Sequence, residues 1–203
     1  MDGVKKDQGG LGPMSAAIHW SGLVLVGGAL ALGLGVILIA SRPVIAATLS
    51  PDMAGLLLVS AALLLLSLPA MYAVQADATG ALGLVGHTLL ATGVLLLVIL
   101  AATPLLPPSV NAPIGEHPIV FVLGIVLTLG LLLTGIATFQ AGVLPRPAAL
   151  LLLGAMAGFF FVFFVAEFLP PAAGQIGTAV FGGMLALGFS WIGIDLWLRS
   201  PGM

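Results

Sequence analysis

Six apolar stretches, each about twenty residues long and almost free of charged side chains, decide what this chain can fold into. They cover residues 18–40, 54–74, 82–102, 119–139, 148–168 and 176–198. A helix needs about 20 apolar residues to cross a hydrocarbon core about 30 Å thick. Continuous Leu, Val, Ala and Gly runs favour helices over the alternating polarity of barrel strands. The sequence therefore predicts an all-α polytopic membrane protein with six transmembrane helices in a single domain, residues 1–203.

The composition excludes several other classes of protein. Charged residues make up only 6% of the 203 residues, whereas soluble domains are about a quarter charged. Five Lys and Arg residues cannot neutralise a run of phosphates, so a nucleic-acid partner is not expected. Cysteine is absent, as are the Walker, Gly-x-Ser-x-Gly and His-Glu-x-x-His motifs. We therefore predict that the chain is not an enzyme.

The positions of the cations predict the orientation in the membrane. Four of the five Lys and Arg residues fall on one side of a six-span topology, and Arg42 falls on the other. The four are Lys5, Lys6, Arg146 and Arg199. Since cations accumulate on the cytoplasmic side, both termini are expected in the cytoplasm and the proline-rich segment 104–118 outside.

The two halves of the sequence share a weak pattern of short motifs. Each half has a span followed by Arg-Pro, then a span ending in Leu-Pro, then a Gly-x-x-Gly step that opens the third span. Three spans per half would make the halves inverted repeats, with a binding site near the midplane. The alternative is that these short motifs recur by chance in helices rich in Gly and Pro.

Two histidines are the candidate cofactor ligands. His19 and His87 lie in the first and third spans, both near the cytoplasmic side, where two neutral imidazoles would suit a bis-histidine haem b or a metal. The Ile18-His19-Trp20 start resembles the first spans of some membrane cytochromes b. Those families carry four histidines for two haems, and this chain has three histidines in all. We therefore expect no resident cofactor or metal, with an interfacial His19 and a backbone-bonded His87 as the alternative to haem.

Six further residues are candidate polar or ligand positions. They are Glu167, Arg42, Thr88, Thr92, Phe160 and Phe164. The carboxylate and the guanidinium would pair at the outer face, the threonines would line a pore, and the phenylalanines would line a pocket for a lipid, quinone or pigment. Two threonines of the fourth span, Thr134 and Thr138, would extend this polar pore lining. Alternatively, Glu167 is an ordinary interfacial carboxylate, the threonine hydroxyls bond their own helix carbonyls, and the phenylalanines only pack.

Two patterns predict structural contacts. Gly154-x-x-x-Gly158 is a small-residue step of the kind that lets membrane helices approach closely. Asp195 precedes Arg199 by four residues, a spacing that permits an ion pair along one helix.

The second break between spans carries a resemblance. Residues 68–76 (LPAMYAVQA), followed by 80–86 (GALGLVG), resemble a motif of uncharacterised bacterial multipass membrane proteins. The resemblance implies a bacterial cytoplasmic-membrane protein and implies no activity. Physically, Tyr72 is expected at the membrane interface, and Gln75 and Asp77 are expected to cap the turn.

Two functions remain open on this sequence. The first is a small transporter or channel-like protein for a neutral or weakly charged solute. The second is a non-catalytic membrane subunit that binds a pigment, quinone, haem or lipid, or that braces a larger complex. The expected partners are the lipid bilayer and either further copies of the chain or a larger membrane complex. A polar-lined interior would favour transport, and a solid Gly and Leu interior would favour the subunit.

Overall fold

The computed structural model describes residues 13–40, 50–106, 118–165, 168 and 170–199. Within these ranges the chain is helical and has no strand. The helices are α1 (Pro13–Ala40), α2 (Pro51–Ala102), α3 (Pro118–Ala141), α4 (Arg146–Phe164) and α5 (Pro171–Leu198), with a 3₁₀ turn at Thr103–Leu105. Four of these helices begin at a proline, the residue best suited to the first helical position because that position needs no amide hydrogen.

The predicted all-α membrane-type architecture is confirmed, but six separate spans are not found. Four described helices are long and apolar enough to cross a membrane: Ala16–Ala40, Pro51–Leu105, Pro118–Ala141 and Pro171–Leu198. The second and third predicted spans lie together in α2, and the fifth gives only a shorter apolar helix, Arg146–Val162.

The helix α2 reverses direction at Gly80. This residue has φ 53° and ψ −144°, a left-handed conformation that glycine adopts without strain. The Gln75 and His87 side chains lie 3.0 Å apart, whereas twelve residues of straight helix would extend about 18 Å. The break predicted between the spans 54–74 and 82–102 is therefore shorter than expected, since helix continues through Thr79 and resumes at Ala81. We call residues 51–79 the first arm and residues 81–102 the second arm.

The helices form a closed ring. The helix α1 packs on α2 and on α5, and α3 packs on α2 and on α4, which in turn packs on α5. Glycine contacts assign the arms: Gly28 faces Leu64 of the first arm, and Gly130 faces Leu90 of the second. Each helix thus contacts mainly the segments before and after it, and α5 returns to α1.

The ring closes through direct backbone contact. A methyl group added at Gly22 of α1 would lie 2.5 Å from the carbonyl oxygen of Gly193 in α5, and the reciprocal distance is 2.6 Å. Only glycine fits on both sides of such a crossing, as expected where helices associate without a hydrophobic driving force. The predicted small-residue step behaves in the same way, because Gly154 and Gly158 both face α5.

The last two spans of each half are connected differently in the two halves of the chain. The two arms of the first half meet at the single residue Gly80, whereas α4 ends at Phe164 and α5 begins at Pro171. This difference gives no support to the inverted repeat, which stays a prediction. The buried apolar side chains form one core cluster to which every helix and both arms contribute, including Leu25, Leu64, Leu90, Leu131, Leu152 and Leu196.

Candidate functional site: a buried polar cluster near Gly80

A hydrogen-bonded pair of side chains joins the two arms beside the Gly80 turn. The His87 Nδ1 lies 2.9 Å from the carbonyl oxygen of Gly83. Because a carbonyl oxygen only accepts, this nitrogen carries the proton. The Nε2 then accepts a hydrogen bond from the side-chain amide nitrogen of Gln75 at 3.0 Å. The imidazole is therefore neutral, with both ring nitrogens engaged.

The Tyr72 ring covers the histidine. Its centroid lies 5.2 Å from that of the His87 ring, with the two planes inclined at 52°. The imidazole is 5% exposed and the Gln75 side chain 1% exposed. The pair is thus enclosed within the bundle.

Two threonines of α3 bring further polar groups to the same depth. A methyl group added at Gly86 would lie 2.7 Å from the Thr134 backbone nitrogen, so Thr134 lies opposite the residue next to His87. Thr138 is one helical turn nearer to the Gly80 end. Both threonines are fully buried. We call Tyr72, Gln75, His87, Thr134 and Thr138 the polar cluster.

Three atoms of the polar cluster have no hydrogen-bond partner in the described part of the chain. They are Gln75 Oε1, Thr134 Oγ1 and Thr138 Oγ1. A buried polar group without a partner costs about 1–3 kcal/mol, so these side chains lower the stability of the fold. Ser190 on α5 has a fourth such atom, but α5 packs on α1 and α4, away from the arms.

The arrangement suits binding of an uncharged molecule. It offers one carbonyl acceptor and two hydroxyls, and none of its members carries a charge. The described residues contain no group of three His, Cys, Asp or Glu side chains that could hold a metal ion. All three unpartnered atoms are fully buried, so the polar cluster is closed to solvent in this conformation.

The structure does not bring the two candidate haem ligands together. The His19 Nδ1 lies 3.0 Å from the carbonyl oxygen of Trp197, and its ring lies 5.6 Å from the Trp197 ring. His19 therefore joins α1 to α5, while His87 joins the two arms. A bis-histidine site would require the bond between His87 and Gln75 to break.

The threonines predicted to line a pore face outward instead. Thr88 and Thr92 are exposed, and their hydroxyls donate to the carbonyl oxygens of Leu84 and Thr88 at 2.8 Å. The interior positions belong to Thr134 and Thr138. Sequence alone does not separate the two pairs, because all four occur among apolar residues.

The remaining candidates do not join the cluster in the described structure. Phe160 is 49% exposed on α4. Phe164 ends that helix, and its side chain lies outside the described residues, as do Arg42 and Glu167. Their predicted roles remain predictions.

Sequence reasoning missed the central role of Gln75. It placed this residue at a turn cap, whereas the described structure buries Gln75 and bonds it to His87. The interfacial position of Tyr72 stays a prediction, and its ring lies against that of His87. The signal that could have found the pair is spacing. A reversal near Gly80 places residues at equal distances on either side opposite each other, and 75 and 87 are nearly symmetric about it.

A second set of contacts ties the end of α5 to the rest of the bundle. Asp195 and Arg199 form the predicted ion pair, with 2.5 Å between Nε and Oδ2. The Arg199 guanidinium also donates to the carbonyl oxygen of Val143, in the turn between α3 and α4. These contacts lie at the same end of the bundle as the Gly80 turn.

Comparison with protein-family models, with curated proteins and with solved structures gave no match to this chain.

Proposed function

We propose that this chain is a small transporter or channel-like protein for a neutral or weakly charged solute. The observation that supports this function is the polar cluster, where three buried and uncharged polar atoms have no partner among the described residues. A scaffold gains nothing from such atoms, since apolar groups of the same shape would be more stable. Proteins retain locally unfavourable residues chiefly at functional sites.

The proposed topology has six spans, with α2 crossing the membrane twice. Its 52 residues would extend about 78 Å as a straight helix (52 × 1.5 Å), far beyond a core of about 30 Å. Folded at Gly80, the second arm has 22 residues and extends about 33 Å (22 × 1.5 Å). The 19 residues of α4 extend about 29 Å (19 × 1.5 Å), which also suffices for one crossing.

The topology can be tested by cysteine labelling, because the chain has no cysteine of its own. Asp77 and Leu106 are both exposed, one beside the Gly80 turn and the other beyond the second arm. In cells of a bacterial host, we expect D77C to react only from the cytoplasm and L106C only from outside. Protection of D77C on both sides would show that α2 does not fold back across the membrane.

The proposed localisation follows from the same topology. It places both termini and the Gly80 turn on the cytoplasmic side of a bacterial cytoplasmic membrane. The ion pair of Asp195 and Arg199 lies at this end as well, which agrees with the accumulation of cations on the cytoplasmic side.

Solute flux tests the function directly. Stopped-flow light scattering of proteoliposomes would measure the permeability to urea, a small neutral probe. We expect T134V to lower the protein-mediated permeability about fivefold, because it removes one hydroxyl from the cluster. The matched control is T88V, whose hydroxyl bonds its own helix outside the bundle, and it should leave the permeability unchanged. Wild-type proteoliposomes no more permeable than empty liposomes would contradict the proposal.

A non-catalytic membrane subunit is the second candidate, and one observation favours it. Away from Gly80 the described interior is mainly apolar, with Leu57, Val94, Leu123, Phe159 and Phe181 all buried. The buried serines of this region, Ser60 and Ser67, donate to carbonyl oxygens of their own helix. A solute crossing the membrane would meet this barrier. A partner protein or chromophore found by native mass spectrometry and absorption spectroscopy, together with no solute flux, would support this second function.

A further inference from the structure

We propose that His87 sets the hydrogen-bond polarity of the polar cluster, so that the site accepts hydrogen bonds and selects solutes that donate them. This inference rests on the proposed solute site and names the chemical class of its ligand. The class is a small neutral molecule with N–H or O–H groups, such as a primary amide, as opposed to an isosteric molecule that only accepts.

The first step of the argument is the state of the imidazole. The Gly83 carbonyl oxygen lies 2.9 Å from His87 Nδ1 and holds the proton on that nitrogen. An imidazole buried among uncharged side chains is neutral, because such neighbours do not offset the cost of burying a charge. The Nε2 therefore carries only a lone pair. Its neighbour at 3.0 Å must therefore be a donor, and the Gln75 amide nitrogen is that donor.

The second step concerns the other end of the same amide. With its nitrogen bound to His87, the Gln75 side chain leaves its carbonyl oxygen Oε1 without a partner in the described chain. That oxygen accepts hydrogen bonds and cannot donate them. His87 thus acts as a positioning residue, since it touches Gln75 and fixes which amide atom remains available.

The third step concerns the two threonine hydroxyls that α3 adds to the polar cluster. The hydroxyls of Thr134 and Thr138 are unpartnered and can each donate one hydrogen bond or accept others. A solute with both a carbonyl and N–H groups offers a partner to each kind of atom, because N–H groups donate to Gln75 Oε1 and a carbonyl accepts from a threonine hydroxyl. A ketone of the same shape satisfies the threonines but leaves Gln75 Oε1 unpaired.

Acetamide and acetone form the matched pair of probes, because they differ mainly by an NH₂ group in place of a methyl group. The full-length protein, labelled with ¹⁵N-histidine and placed in lipid nanodiscs, would be titrated with each. The His87 signals are assigned by their loss in H87L. We expect a protonated Nδ1 and an unprotonated Nε2, and we expect acetamide to shift these signals with an affinity about fivefold above that of acetone. A proton on Nε2, equal affinities, or no response to acetamide would overturn the inference.

Two variants separate positioning from structure. The second readout is inhibition of urea flux by acetamide and by acetone. In H87L the Gln75 amide is free to turn, so we expect acetamide to inhibit the flux no more strongly than acetone does. The control V94A removes packing from the same arm away from the polar cluster, and its fivefold preference should persist. Loss of the preference in V94A as well would overturn the inference.

The two proposals fail differently. Binding of acetamide with no urea flux in the wild type would remove the transport function and leave the polarity of the site standing. Urea flux that acetamide and acetone inhibit equally would leave the transport function standing and remove the proposed polarity of the site.

Discussion

The two ends of the bundle differ in chemistry although both are built from the same helices. Near Gly80, the interior holds Gln75, His87, Thr134 and Thr138, all buried. At the opposite end, buried positions hold residues such as Leu57, Val94 and Leu123, and the buried Ser60 hydroxyl bonds a carbonyl oxygen of its own helix. The apolar end obeys the ordinary rule that interiors in lipid are filled by close packing. The polar end departs from it at a cost in stability, which is why we assign the function there.

The largest effect is expected from G86A, because it disturbs the backbone that carries the polar end. The new methyl group would lie 2.7 Å from the Thr134 backbone nitrogen, and backbone cannot rotate away. We expect a loss of about 3 kcal/mol in the free energy of unfolding, measured by denaturation in detergent.

The matched control for this prediction is G93A, at the apolar end of the same interface. Its methyl group would meet the Leu127 side chain at 2.5 Å, and a side chain can change rotamer. G93A should therefore cost less than G86A. An equal or larger loss in G93A would show that the two ends respond alike.

The second prediction concerns the bond between His87 and Gln75. Replacing only the histidine, in H87L, leaves the buried Gln75 amide unpaired and should cost about 2 kcal/mol. The double variant Q75L/H87L replaces both partners and should recover most of that loss. The test is a double-mutant cycle on the free energy of unfolding; additive losses would mean that the bond contributes nothing.

The third prediction is a gain in the free energy of unfolding, whereas the first two are losses. T134V replaces a buried hydroxyl that has no partner among the described residues with a methyl group of similar size. The free energy of unfolding should rise by about 1 kcal/mol, while solute flux falls. A decrease in thermal stability would indicate that the Thr134 hydroxyl is satisfied in the membrane, and the contrast between the ends would weaken.

The smallest effect is expected at the rim of the polar end. In R199Q the ion pair with Asp195 is lost, but both side chains are partly exposed, and such pairs contribute about 0.2–1 kcal/mol. Thermal unfolding should shift little and solute flux should not change. A large loss of flux would place Arg199 in the solute pathway.

The apolar helices could be predicted from the sequence, whereas the continuation of helix α2 up to a reversal at Gly80 and the orientation of the helix faces could not. Proline marks four of the helix starts by local backbone chemistry, which a sequence displays directly. The face toward the interior is hidden because lipid and core both favour apolar side chains. Leu64 is 1% exposed and Leu66 is 71% exposed, yet nothing in their chemistry distinguishes them. For the same reason, Thr88 and Thr134 could not be assigned to outside and inside.

The closure of the ring between α1 and α5 has a consequence for biosynthesis. The glycine face of α1, centred on Gly22, meets its counterpart at Gly193, and that residue is translated more than 170 positions later. During membrane insertion, α1 must therefore remain beside the growing chain with this face against lipid or an insertion factor until α5 arrives. A ribosome-stalled chain that ends before α5 should consequently expose Gly22 to crosslinking, whereas the released full-length chain should not.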